Sequence, residues 1–248
     1  MKKKILCMYS GGVDSVGVLY RLLTDDAYAA FAIRVHHMQL INREKRAAAE
    51  KQAVNQTLKL FAGKKFRPFT FTHCLHDYSF MKRDMIWDMD IANFMAANIC
   101  AGDRDIVHVA RGRTRTDLKT GGEMLLKRSE RAMNIFNAII EPSKSEATII
   151  YPVIDLDKTE IWQMLPKPFR EASWYCRTPI YDKAGKAYPC NRCVTCREMR
   201  EVYEACGEKP PVLPKGLVPT PKEGIRAVVK RVQTSRATFT KKAAMKKA

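Results

Sequence analysis

The chain has 248 residues, with 44 Lys/Arg against 26 Asp/Glu, a formal charge of +18 and a hydrophobic fraction of 46%. That is enough length for one large α/β domain with an extension, and enough apolar content for a sizeable core. No apolar run approaches the roughly 20 residues that cross a bilayer, so no membrane partner is expected, and the basic start is not followed by an uninterrupted signal-type apolar stretch.

Residues 5–9 form a short apolar run that predicts a buried strand. Ser10-Gly11-Gly12 breaks it, and Ser15 is placed to cap a helix whose apolar face is Val16, Leu19, Leu22 and Leu23. Residues 28–36 predict a second strand. Residues 42–62 predict a helix, with Ala47, Ala48, Val54, Leu58 and Phe61 at helical spacing and Gly63 at its end. Residues 66–72 predict a third strand and residues 73–83 a loop, in which His73, Cys74 and His76 read as structural or surface side chains. A long helix (84–100), a strand (105–110), a basic glycine-bearing loop (111–122), a helix (123–140) and a strand (147–151) follow. Asp155 or Asp157 then caps a short helix through Leu165. Strands alternating with helices argue for a doubly wound, mainly parallel five-stranded α/β sheet, whose ligands sit beyond the carboxyl ends of the strands. The loop at 111–122 follows such an end. Its arginines make it a candidate second wall of the site, facing phosphate or a carboxylate.

The strand–glycine turn–helix unit at 5–24 suits an anion. Two glycines let backbone approach it closely, and the N–H groups and dipole of the helix start favour phosphate. Ser10 and Ser15 add hydroxyl donors, and Asp14 would act through Mg²⁺ or a hydrogen bond. No lysine follows the second glycine, so this is not a P-loop of the Gly-x-x-x-x-Gly-Lys kind. The string Ser10-Gly11-Gly12-Val13-Asp14-Ser15 instead resembles the PP-loop of the N-type ATP pyrophosphatases, which bind ATP and activate substrates as adenylates. Tyr9 through Ser15 are then the nucleotide-binding residues.

Eight cysteines occur, three of them in Cys190-x-x-Cys193-x-x-Cys196, with Cys176 fourteen positions earlier. This is metal spacing, not a disulfide framework, and it points to a reducing cytoplasm. Four thiolates make a closed structural Zn²⁺ site. A 4Fe–4S cluster or a catalytic persulfide could be built from the same residues.

The PP-loop, the segment from Tyr151-Pro152-Val153 through Asp155-Leu156-Asp157-Lys158 to Ile161, the run Ser173-Trp174-Tyr175-Cys176 and the stretch Pro189-Cys190 to Cys196-Arg197 together resemble 7-cyano-7-deazaguanine synthases over about residues 3–207. The resemblance implies zinc on the four cysteines. It also implies ATP-dependent activation of the carboxylate of 7-carboxy-7-deazaguanine for attack by ammonia, giving the nitrile or its amide. Asp14, Arg83 and Lys158 are the expected catalytic residues, Arg83 lying in a Lys82-Arg83-Asp84 version of the family's Ala-Arg-Asn box. Asn191 stands where the family usually has glycine, and the gap after Cys176 is longer than usual. A tRNA-modifying PP-loop enzyme, adenylating a base for thiolation, and a zinc-containing nucleic-acid-binding protein are the alternatives.

The expected division is an ATP-binding domain at 1–170, a zinc-binding segment with a helix at 171–207 and a basic, partly disordered tail at 208–248. The tail carries 11 Lys/Arg and 2 Asp/Glu, half of the chain's excess charge, and suits nonspecific contact with nucleic acid. A homodimer completes the expected partners.

Overall fold

The computed structural model describes residues 2–81, 87–120, 122–214 and 216–217. Arg83, with its neighbours Lys82 and Asp84, lies outside the described residues, as does the tail from residue 218 onward. The strands β1 (Lys4–Met8), β2 (Ala32–Ile41), β3 (Phe69–Asp77), β4 (Ile106–Ala110) and β5 (Thr148–Ile150) form one sheet, all parallel, in the order β3-β2-β1-β4-β5. This is the doubly wound arrangement expected. Its order reverses between β1 and β4, which places the switch point at the carboxyl end of β1.

Both faces of β1 are covered, and its side chains divide between them. Ile5 and Cys7 join a cluster with Val16, Leu19 and Leu22 of α1 (Val13–Thr24), Val54 and Phe61 of α2 (Ala47–Phe61) and Ile161 and Trp162 of α6 (Lys158–Met164). Leu6 points the other way, to Ala96, Ala97 and Cys100 of α3 (Asp88–Gly102) and Phe136 and Ile140 of α5 (Gly122–Ser143). A strand buried on both sides must be apolar throughout, which is why 5–9 reads as a continuous run. Two short helices, α4 (Arg115–Thr120) and α7 (Lys167–Ala172), a hairpin of β6 (Ile180–Tyr181) with β7 (Ala187–Tyr188), and α8 (Val194–Ala205) complete the described elements. Met199, Val202 and Tyr203 of α8 pack into the same cluster as Val153 and Ile161. No helix among the described residues is long and apolar enough to cross a membrane.

Several boundaries differ from the sequence reading, each for a local reason. Ser15 does not cap α1: Gly12 stands at the cap, and the Ser15 hydroxyl folds back to donate to the Gly12 carbonyl at 3.0 Å. The second strand begins at Ala32 because 26–28 form a 3₁₀ turn, whose N–H at Ala27 donates to the Asp25 side chain at 2.9 Å. The third strand runs from Phe69 to Asp77, so His73, Cys74 and His76 lie in the sheet, paired with β2 from Ile33↔Phe69 to Ile41↔Asp77. Backbone pairing overrides the polar composition there. Residues 111–122 are not one loop. Thr114 and Asp117 exchange the hydrogen bonds of a capping box (Thr114 N–H to Oδ2 2.8 Å, Asp117 N–H to Oγ1 3.3 Å) and start α4. Of the two candidate caps for α6, Asp157 does the work with Glu160 in a second capping box, while Asp155 is held by Arg21.

Gly17 fixes how closely α1 approaches α6. A Cβ added there would lie 2.6 Å from Cγ2 of Ile161, which is fully buried and has nowhere to move. Gly17→Ala gains about 1 kcal/mol of helix propensity but overpacks the contact by about 1–3 kcal/mol. A net loss of up to about 2 kcal/mol, read as a lower melting temperature, is expected in thermal denaturation; raised stability would contradict the packing described.

Candidate active site at the switch point

The chain leaves β1 through Tyr9 and Ser10 and turns at Gly11, whose φ of +72° is a left-handed conformation suited to glycine. A Cβ at Gly11 would also lie 2.9 Å from the backbone nitrogen of Val54. The turn is clamped from outside, because Trp174 N–H donates to the Gly11 carbonyl at 2.9 Å and Gly12 bridges Trp174. Inside the turn, Ser10 N–H donates to Ser15 Oγ (3.3 Å), the two serine hydroxyls meet at 3.1 Å, and Gly12 N–H reaches Ser10 Oγ at 3.3 Å. Hydroxyls and N–H groups therefore gather at the start of a twelve-residue helix, where the dipole favours an anion.

Of the sequence-predicted nucleotide residues, Ser10, Gly11, Gly12, Asp14 and Ser15 come together at this turn. The other two point into the core. Tyr9 is 2% exposed, and its hydroxyl donates to Thr57 at 2.6 Å. Val13 is equally buried. Both border the clefts described below.

Asp14 and Lys158 meet across the mouth of the turn, Nζ to Oδ2 at 3.6 Å, and Lys158 also pairs with Glu198 at 3.1 Å. Burial pushes the Asp14 carboxyl above its ordinary range, against the pull of Lys158. Burial would lower Lys158, but Asp14 and Glu198 outweigh it and hold the ammonium above its usual value. Among the described residues, the buried Asp14 Oδ1 has no hydrogen-bond partner. One lysine thus faces Asp14, Glu198 and, more distantly, Asp117, which leaves an acidic excess that suits a cation.

A cleft of about 300 Å³ opens over the turn, lined by Ser10, Gly12, Asp14, His36, Arg46 and Arg111 among others. A smaller one of about 120 Å³ runs from the same turn past Lys158 and Trp174 to Cys176 and Thr195. The sequence reading missed a charged network beside them, of which Arg46 and Glu50 line both clefts and Asp88 the larger one. Arg46 pairs with Glu44 (2.9 Å), Glu50 (3.2 Å) and Asp88, and Arg177 reaches Glu44 (2.8 Å) and Asp88 (3.6 Å). These residues are distant in sequence, and only the Arg46/Glu50 spacing of four at a helix start hinted at them. His36 also borders the larger cleft; burial and then Arg34 hold its imidazole down to about 4, so it is neutral near pH 7. Its Nε2 lies 3.3 Å from Cys74 Sγ, which lies 3.2 Å from His76.

The four predicted metal cysteines do converge. The Sγ atoms of Cys176, Cys190, Cys193 and Cys196 all lie within 4.8 Å of one another, with Cys176–Cys193 at 4.0 Å and Cys190–Cys196 at 3.9 Å. Four thiolates around one ion at a Zn–S distance of about 2.3 Å would stand about 3.8 Å apart. In a 4Fe–4S cluster each cysteine holds a separate iron and the sulfurs stand wider. The long gap after Cys176 folds into the β6–β7 hairpin, turned at Gly185 with φ +82°. Asn191 takes φ +58°, a left-handed conformation that asparagine tolerates. Cys190 N–H donates to Cys176 Sγ (3.2 Å), and the Thr178 hydroxyl and Cys193 N–H donate to Cys190 Sγ (3.1 and 3.3 Å); these bonds favour the thiolate, while the neighbouring Cys196 and then burial push the Cys176 thiol up.

No protein-family model matches the sequence, and no curated protein does. Among solved structures the chain is similar to the U34-tRNA thiolase NcsA from Methanococcus maripaludis with its 4Fe–4S cluster, at 12% identity and a TM-score of 0.47, over 82% of this chain and 65% of that one. The chain therefore spans about two thirds of that structure's length.

Glu50 gives the charged network a pH signature. Burial pushes its carboxyl up to about 7, against the pull of Arg46. A folded value above the unfolded one means that the neutral acid favours folding. That contribution is whole below about pH 4.5 and is lost as the pH rises through about 7, on the order of 1–3 kcal/mol. Glu50→Gln should remove this part of the stability–pH profile between 4.5 and 7, measured by urea denaturation; an unchanged slope would show that Glu50 is ionised throughout.

Proposed function

We propose that the chain is an ATP-using enzyme of the PP-loop type that forms AMP and pyrophosphate while activating a carboxylate. The observation that carries this reading is the left-handed Gly11 turn at the switch point, which gathers Ser10, Gly12 and Ser15 at a helix start beneath an open cleft. The acid proposed is 7-carboxy-7-deazaguanine, and the second substrate ammonia, on the strength of the sequence segments at 151–161, 173–176 and 189–197.

In this reading Ser10, Ser15 and the N–H groups of the turn hold the phosphates of ATP. An oxygen of the acid's carboxylate attacks the α-phosphorus, pyrophosphate leaves, and the acid becomes an acyl adenylate. Ammonia then attacks the acyl carbon and AMP leaves with the former carboxylate oxygen, giving the amide; loss of water from the amide gives the nitrile. Preorganised donors at the turn and the Lys158 ammonium stabilise charge that grows on the leaving pyrophosphate. Asp14, with its unpartnered oxygen, is the residue that would hold Mg²⁺, which supplies charge neutralisation when bound. Cys176, Cys190, Cys193 and Cys196 would hold one Zn²⁺, which cross-links the segment carrying Trp174 to α8. All its positions are taken by thiolates, so its part is structural.

The test is direct. With Mg²⁺, ATP, the acid and ammonium, the protein should release equimolar AMP and pyrophosphate. Ser10→Ala and Asp14→Asn should lower turnover about a hundredfold or more while the melting temperature stays put. Release of ADP instead would overturn the reading.

The metal is checked separately. Protein purified without added metal should contain about one zinc per chain by elemental analysis, and Cys193→Ala should lose the metal and melt at a lower temperature. Iron with sulfide in stoichiometric amounts would contradict the zinc assignment.

A further inference from the structure

Three arginines leave β4 together, and the structure treats them differently. Arg115 is ion-paired with Asp157 (3.4 Å) and Glu160. Arg113 lies over the Tyr151 ring, 5.7 Å from its centroid. Arg111 turns into the cleft above the phosphate turn, where its guanidinium donates to Asn93 Oδ1. Among the described residues no carboxylate lies within ion-pair distance of it. Arg46, the other arginine among the described residues lining this cleft, is the opposite case, with three carboxylates around it. Burial pushes Arg111 below its ordinary value, with Tyr151 opposing and Arg113 adding to the effect.

A partly buried guanidinium whose one hydrogen-bond partner here is a neutral amide has donors left for an arriving anion. The position decides which anion. Arg111 is followed by Gly112, where an added Cβ would lie 3.2 Å from Asp14 Cβ and 3.4 Å from Ser15 N. The exit of β4 therefore rests against the start of α1, and Arg111, one residue earlier, lines the same cleft as Ser10, Gly12 and Ser15. The phosphates already have the turn, its hydroxyls and the helix start. The remaining anion of the proposed reaction is planar and two-oxygened, and the fork of a guanidinium matches it. Met8, Met89 and Ala92 beside it supply an apolar floor for a flat ring.

We propose that Arg111 forms the subsite for the carboxylate of the acid substrate, presenting it to the phosphate turn. This rests on the reading of the site as a carboxylate-activating one. Asn93, itself fully buried, is the positioning residue, since it holds the guanidinium from behind and is in turn tied to the Ala132 carbonyl of α5.

The experiment is calorimetric binding of three probes to the full chain and to its Arg111→Met and Arg111→Lys variants: Mg-ATP, 7-carboxy-7-deazaguanine, and the uncharged 7-cyano-7-deazaguanine. Arg111→Met should weaken the acid about ten- to hundredfold, while ATP and the nitrile change by less than about threefold. Arg111→Lys should fall between, because it keeps the charge and loses the fork. Retained ATP binding reports that each variant is folded. If Arg111→Met fails to fold, the split between acid and ATP in Arg111→Lys decides. Equal weakening of ATP and acid by a folded variant overturns the proposal and gives the guanidinium to phosphate. Acid bound equally by wild type and variants overturns the Arg111 assignment and leaves the substrate reading standing. Wild-type protein that binds ATP but not the acid overturns the substrate reading, and the carboxylate subsite with it.

Discussion

The left-handed turn at Gly11 constrains the site from three directions. Behind it the Val54 backbone stands so close that no Cβ fits; outside it Trp174 donates to its carbonyl; ahead of it α1 begins at Val13. A side chain at position 11 would add about 1–2 kcal/mol of backbone strain to a clash with main chain that cannot swing aside. The same clamp joins the two halves of the site. Trp174 touches the turn, and Cys176, two residues on, enters the four-cysteine cluster, so the geometry of the cysteine segment and of the Gly11 turn are linked through a few backbone atoms.

Charge in the cleft is arranged by burial as much as by sign. The chain as a whole is strongly basic, yet the clefts at the turn are lined by the acids Asp14, Glu50 and Asp88, with Glu198 beyond Lys158 and Glu44 beyond Arg46. In the proposed function a cation would mediate between these acids and the phosphates, and the unpartnered Asp14 Oδ1 is where it would bind. Arg111 is the exception, a cation of the cleft with no acid of its own among the described residues. Arg46, held by three carboxylates, and Arg111, held by the neutral Asn93, thus differ in their partners where residue type alone would equate them.

Much of this was legible in the residues. The apolar run at 5–9, the glycine break and the alternation of strands and helices led to the parallel sheet and to the turn at its switch point. The Cys-x-x-Cys-x-x-Cys spacing led to the thiolate cluster. Three things were obscured for physical reasons. His73, Cys74 and His76 look like loop residues because strand β3 lies at the sheet's edge and its polar side chains are only partly covered. Helix α4 hid behind a run of arginines, although Thr114-x-x-Asp117 is a capping box that could have announced it. The Arg46–Glu44–Glu50–Asp88–Arg177 network joins residues up to 133 positions apart, and no local pattern encodes that. Likewise, Arg111, Arg113 and Arg115 are equivalent in sequence and become distinct only through Glu160, Tyr151 and Asn93.

The central claim is that the turn at Gly11 serves attack of a carboxylate on the α-phosphorus of ATP. The most direct measurement is isotope transfer: 7-carboxy-7-deazaguanine labelled with ¹⁸O in its carboxylate is turned over with ATP and ammonium, and the products are read by mass spectrometry. The account predicts one labelled oxygen in AMP and none in pyrophosphate. Label in inorganic phosphate, or AMP that carries none, would contradict it.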